Sequence, residues 1–136
     1  MTETSILTIE TGGEGFVDIT ADVRRFARQC KIQNGVILLF MRHTSASLTI
    51  QENADPDVLR DLMTALKGFA PANANYRHNS EGPDDMPAHI KTMLTNVTLH
   101  VPLIGGELAL GTWQAIYAIE HRAQPHRREI VMQALA

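Results

Sequence analysis

The sequence predicts an α+β domain built mainly of antiparallel strands, with about three helices set among them. Three observations carry this. Stretches such as 43–51 and 97–103 alternate apolar and polar residues with the period of a strand, while 23–30 repeats apolar residues at the i, i+3, i+4, i+7 spacing of one helical face. The chain has 136 residues, 44% of them hydrophobic, enough to close one core, so residues 1–136 read as a single domain.

Taken in order, Ser5 to Thr11 reads as a strand, Gly12 to Gly15 as a turn and Phe16 to Ile19 as a returning strand, together a hairpin. Thr20 has the oxygen to cap the following helix, which buries Val23, Phe26, Ala27 and Cys30 and stops at Asn34-Gly35. Val36 to Met41 is a continuous apolar run, the pattern of a central strand covered on both faces. In 43–51, Thr44, Ala46, Leu48 and Ile50 fall on a core side, and His43, Ser45, Ser47, Thr49 and Gln51 on a polar side.

Asp55-Pro56 starts a second helix, because Asp accepts from free N–H groups and Pro costs nothing at the first helical position. Its stripe is Val58, Leu59, Leu62, Met63 and Leu66, ending at Gly68. Between Phe69 and Met86 lies a polar stretch rich in Pro, Asn and Gly, a length of connection that is usually functional or disordered. A short helix from about Met86 to Thr95 presents Ile90, Met93 and Leu94 to the core. Val97, Leu99, Val101 and Leu103 form a strand, Gly105-Gly106 turns the chain, Leu108 to Glu120 runs back, and Glu129 to Ala134 is the last strand.

Composition excludes several function classes. Twelve Lys and Arg against fifteen Asp and Glu leave a formal charge of −3, so no basic field points to nucleic acid or anionic lipid. The longest apolar run is six residues, against about 20 for a spanning helix, and the N-terminal stretch has no basic and apolar leader pattern, so a cytoplasmic location is expected. One cysteine, Cys30, makes neither an intrachain disulfide nor a thiolate metal site. Signatures for phosphate loops, serine-hydrolase elbows, zinc-protease helices and kinases are absent.

Four polar segments remain. His43 opens a face with Thr44, Ser45 and Ser47, hydroxyls that can orient an imidazole or bind phosphate oxygens, although a solvated strand face has the same pattern. Asp85 and His89 are four apart and share a helix side, unless Asp85 is only a cap. His43, His78 and His89 together would suit a zinc-type site with an open position, although no short-spaced pair enforces it. Gln114 and Glu120 share strand parity and can face one cavity; Trp113 would then face the other way, which also suits a core anchor. His121, Arg122, His126, Arg127 and Arg128 form a local basic cluster that could hold phosphate or decorate a turn.

The motifs HTSASLTIQENADP, YRHNSEGPDDMPAHIK and LALGTWQAIYAIEHR, in that order, resemble the YjbQ family of secondary thiamine-phosphate synthases. The resemblance runs from about Gly35 to the C-terminus; earlier residues match in pattern only, and Asn96 and Gln124-Pro125 depart where relatives place glycine. It implies a compact α+β fold, a homotrimer with a polar pocket near the subunit boundary, and a weak activity joining hydroxymethylpyrimidine diphosphate to thiazole phosphate with release of pyrophosphate. It carries over His43, Thr44, Asn53, His78, Asp85, His89, Gln114, Glu120 and Arg128 as pocket residues.

The expected roles follow from charge. His43, His78 and His89 would hold a divalent ion, zinc or magnesium, that polarises the diphosphate. Asp85 would orient a histidine or balance developing charge, with His43, His89 and Glu120 as its catalytic companions. Arg127 or Arg128 would hold the phosphate of the small-molecule substrate, beside Thr44, Asn53 and Gln114. The alternatives are a non-catalytic oligomeric module that binds a phosphorylated metabolite or metal, and a metal-dependent hydrolase.

Overall fold

In a computed structural model, which describes residues 2–136, eight strands and three helices form two packed sheets. Strands β1 (Thr2–Glu10), β8 (Arg127–Leu135), β3 (Gly35–Met41), β5 (Thr98–Ile104) and β6 (Glu107–Leu108) make a five-stranded sheet in that spatial order. Strands β2 (Gly15–Asp18), β7 (Gln114–Glu120) and β4 (Ala46–Glu52) make a three-stranded one. Every strand pair is antiparallel, as the alternating patterns require. The helices are α1 (Thr20–Gln29), α2 (Pro56–Phe69) and α3 (Asp85–Leu94). None is long and apolar enough to cross a membrane.

The core lies between the sheets and under α1. Ile37, Leu39, Leu48, Ile116 and Ile130 have no exposed surface, and the α1 stripe Val23, Phe26, Ala27 and Cys30 closes over them. Burial at this level is worth about 1.5–3 kcal/mol for each large apolar side chain. β3 is central in its sheet, but only one of its faces is covered: Ile37, Leu39 and Met41 point inward, while Phe40 is 45% exposed and Val36 and Leu38 are half-buried. Ile6 of β1 and Ile104 of β5 are also exposed, leaving an apolar outer face on this sheet. Gly35 is fixed by close approach, because a Cβ there would collide with the Leu135 carbonyl oxygen. Gly105 and Gly106 turn the chain with φ of 58° and 81°.

Several expected elements are rearranged. β1 and β2 do not form a hairpin; β1 pairs with β8 in one sheet and β2 with β7 in the other. Alternation identifies a strand but carries no information about its partner. The run from Leu108 to Glu120 is likewise divided between β6 and β7 in different sheets, with a loop between them. Thr20 is not a cap. It is the first helical residue, its hydroxyl accepting from the Ile116 N–H at 2.8 Å and so tying α1 to β7.

The expected faces also change. Asp55 does cap α2, accepting from the Asp57 N–H at 2.9 Å, yet no residue of α2 is fully buried and its stripe, Leu62 included, is only half-covered. In α3 the expected core residues Met93 and Leu94 are exposed, and the buried face is largely polar: Asp85, Lys91 and Thr92 beside Pro87 and Ala88. Lys91 is accommodated because its Nζ donates to Glu14 Oε2 at 2.9 Å. In β4 the expected polar face is buried at Ser47, whose Oγ lies 2.8 Å from His121 Nε2 and 2.6 Å from the Thr95 hydroxyl, whereas Thr44, assigned to the core side, is exposed. Hydrogen bonding buried these hydroxyls, a pairing that hydropathy does not register.

Candidate metal centre and adjoining cavity

The first turn of α3 and the loop before it bring three side chains together. Asp85 is not the helix cap; Asp84 precedes the helix, and its carboxylate accepts from Arg122 Nε and the Ala123 N–H at 2.9 and 2.8 Å. Asp85 therefore points inward, 97% buried, with Oδ2 at 2.6 Å from His78 Nε2 and 3.1 Å from His89 Nε2. Its Oδ1 pairs with Arg122 Nη1 at 2.9 Å. Burial would raise the Asp85 carboxyl, but the His78 hydrogen bond and the Arg122 guanidinium hold it below the usual carboxylate range. One ligand atom from each of His78, Asp85 and His89 lies within 4.8 Å of the others.

The His89 ring is fixed by its other nitrogen. Nδ1 lies 2.8 Å from the Thr44 carbonyl oxygen, which can only accept, so Nδ1 carries a hydrogen. In the neutral ring, Nε2 then presents a lone pair toward the Asp85 carboxylate. Two acceptors facing each other at 3.1 Å call for a proton or a cation between them. A histidine whose Nδ1–H is held by a backbone carbonyl while Nε2 is free is the arrangement in which imidazole ligates metals. The donor set of two imidazoles and one carboxylate suits a zinc-type ion with positions left open.

His89 also lines a cavity of about 910 Å³ whose wall includes His43, Thr44, Ser45, Thr92 and Arg128. Arg128 is 95% buried and joins Glu120, with Nε to Oε1 at 2.8 Å. Burial would raise the Glu120 carboxyl, but Arg128, the Thr11 hydroxyl and the Arg122 N–H outweigh it and keep it ionised. Arg128 Nη2 also donates to Ser45 Oγ at 3.0 Å.

The other expected site residues fall elsewhere. His43 is outside the cluster; its Nε2 accepts from the Glu129 N–H at 2.9 Å, and Asp85, rather than His43, joins His78 and His89. Gln114 and Glu120 do not share a cavity, since they sit at opposite ends of β7, registered with Glu52 and Ala46 respectively. Gln114 is exposed, accepts from the Gly111 N–H at 2.8 Å, and lines a different cavity of about 560 Å³ with Asn53. Trp113 is 64% exposed and anchors no core. Arg127 is bound to Glu10 across the exposed sheet edge and takes no part in the centre. Two residues expected only as members of the basic cluster have specific partners instead. Arg122 ties Asp84, Asp85 and the Glu81 carbonyl together, and His121 is fully buried against Ser47, where burial pushes it down to about 4. The HR pair after Glu120 is the available signal, but the Arg122 partners Asp84 and Glu81 lie 38 and 41 residues away and the His121 partner Ser47 lies 74 away, and no spacing rule connects them.

Comparison with known proteins matches residues 5–136 to the family model for YjbQ-like UPF0047 proteins. A UPF0047 protein of Synechocystis is 44% identical over 128 residues, covering 93% of this chain and 87% of that protein. The YjbQ protein of Salmonella typhimurium is 40% identical over 126 residues, covering 92% and 91%. A crystal structure of a YjbQ/UPF0047 protein from Clostridium acetobutylicum superposes with a TM-score of 0.90 at 34% identity, covering 96% of this chain and 99% of that one. A YbjQ-like protein of unknown function from Sulfolobus solfataricus shares the fold at a TM-score of 0.89 and 24% identity.

Proposed function

The chain belongs to the YjbQ-like UPF0047 family, and from that premise we propose that it is a metal-dependent enzyme acting on a phosphorylated small molecule at His78, Asp85 and His89, with secondary thiamine-phosphate synthesis as its reaction. The observation that carries the metal reading is the His89 ring, locked by the Thr44 carbonyl so that a lone pair faces the Asp85 carboxylate. The choice of reaction rests on the motif resemblance and on charge. The carbon–oxygen bond of hydroxymethylpyrimidine diphosphate breaks, pyrophosphate leaves with the electron pair, and the thiazole nitrogen forms the new carbon–nitrogen bond. A divalent ion bound here would offset the charge of the leaving pyrophosphate.

The chain's own residues then have defined tasks. Asp85 supplies the anionic oxygen and is held by Arg122; the Thr44 carbonyl orients His89; His78 arrives from the 70–84 loop, which the Arg122 contact to the Glu81 carbonyl steadies. No proton need be transferred at the reacting carbon, so Glu120 serves to hold Arg128. The test is pyrophosphate release and thiamine-phosphate formation by zinc- or magnesium-loaded protein, against chelated and heat-killed controls. Metal-dependent product supports the reading. Pyrophosphate or phosphate released without a thiazole acceptor identifies a hydrolase, and a tightly held ligand with no turnover identifies a binding module.

We also propose that the protein works as a homotrimer. Support comes from the uncovered apolar face of the five-stranded sheet, with Ile6, Phe40 and Ile104 exposed, and from Phe40 lining the cavity as well, so that the cavity opens at the edge of that face. The trimeric number comes from the motif resemblance.

A further inference from the structure

We infer that the cavity beside the metal cluster is an anion seat in which His43, held in one tautomer by the Glu129 backbone, donates from Nδ1 to the phosphate of a ligand with an apolar body. This rests on the phosphorylated-substrate reading and gives it a place. The Glu129 N–H can only donate, so His43 Nε2 is the acceptor and a neutral ring carries its hydrogen on Nδ1. Burial and the nearby Arg128 charge push the His43 pKa down and outweigh the opposing Glu129 and Glu120 carboxylates, which favours the neutral ring. Among the described residues Nδ1 has no protein partner, and His43 lines the cavity.

A second donor group stands in the same wall. Arg128 commits Nε and Nη2 to Glu120 and Ser45, while its Nη1 donates to nothing among the described residues. Arg42, which faces Glu129 Oε1 at 3.7 Å, adds another guanidinium to the wall, and no Asp or Glu lines the cavity although the chain carries a net charge of −3. Phe40, Met93 and Val97 supply the apolar side. A volume of about 910 Å³ is ample for a small organic phosphate. Ligation of a metal through His43 Nε2 would instead strip the Glu129 N–H of its acceptor, a cost that the donor role avoids.

The probe is inorganic pyrophosphate, titrated calorimetrically into metal-stripped protein. Wild type should bind it without metal, and His43→Leu should weaken binding about tenfold or more, the loss of one hydrogen bond to a charged group. His43→Asn, whose amide nitrogen falls near the Nδ1 position, should keep most of the affinity, and both variants should retain wild-type zinc content. If His43→Leu fails to fold, His43→Asn against His43→Gln, whose amide reaches the Nε2 position, makes the same comparison. The inference is overturned by metal-stripped wild type that binds no pyrophosphate, by equal affinity of the donor-bearing and donor-lacking variants, or by selective loss of zinc in His43 variants. Failure of the metal reading looks different: wild type retains no zinc, yet pyrophosphate binding persists.

Discussion

Glu120 and Arg128 form a two-point ion pair whose Arg128 side lines the cavity, with neither side chain more than 5% exposed. Removing one partner strands a buried charge, which costs about 3–5 kcal/mol, whereas joint replacement by apolar residues of similar volume costs far less. Arg128→Met should therefore lose most of that amount in urea unfolding, and Glu120→Leu/Arg128→Met should recover much of it. Equal stabilities for the single and double variants would contradict the pairing.

Loss of a cluster member should separate metal binding from folding. Asp85→Asn and His89→Ala are expected to lower zinc affinity by at least about a hundredfold. Asp85 makes no cap, and Arg122 keeps Asp84 as a partner, so Asp85→Asn should melt close to wild type. Equilibrium dialysis with metal analysis and thermal melts check both; unchanged zinc stoichiometry in either variant would refute the centre.

The buried His121 predicts a pH dependence of stability. An unfolded histidine takes up a proton near 6.5 and the folded one only near 4, so its contribution is complete above about 6.5 and is lost as pH falls from there toward 4. The loss amounts to roughly 3 kcal/mol. Lys91 and Arg128 disfavour the charged ring, while Glu120 and Glu14 favour it without prevailing over burial. Urea unfolding from pH 8 to 4.5 should show the decline, and His121→Gln should flatten it. Below about 4.5 the paired carboxylates Glu14 and Glu120, both with lowered folded values, add a second loss.

Leu48 and Leu62 should part company. Leu48 has no exposed surface, so Leu48→Ala should cost about 2–5 kcal/mol. Leu62 is half-buried on a helix with no buried residue, so Leu62→Ala should cost about half as much or less. Comparable losses in chemical denaturation would mean that α2 is covered in the working assembly.

The trimer is tested on the outer sheet face. A mass near 45 kDa is expected by light scattering, about three times the 15.0 kDa chain. Phe40→Glu should shift it toward a single chain. A wild-type protein that scatters as one chain at micromolar concentration would remove the proposal.

Most elements were legible because periodicity reports local conformation. The α1 stripe, the Asp55-Pro56 start and the glycine turn at 105–106 are local signals, and each appears where the pattern put it. Sheet partners are not local: β1 and β2 look like a hairpin because they are near in sequence, yet each pairs with a strand near the other end of the chain. The candidate site divides in the same way. Asp85 and His89 are legible as a helical i, i+4 pair and His78 as a loop histidine beside them, while Arg122 joins them only through tertiary contact. The buried polar face of α3 inverts the hydropathy rule because ion pairs and hydrogen bonds, not apolar contact, satisfy it.

The separation of β1 from β2 has a consequence for how the molecule opens. β1 is the edge of one sheet and β2 the edge of the other, and only four residues join them. Thr11, in that link, donates to Glu120 and accepts from the His126 N–H, so the N-terminal segment is latched to the buried Glu120–Arg128 pair. Peeling residues 2–18 away would uncover an edge of both sheets in one event. Amide protons of β1 and β2 should therefore exchange with solvent at a common rate, and the Glu120–Arg128 pair should be wetted whenever they do.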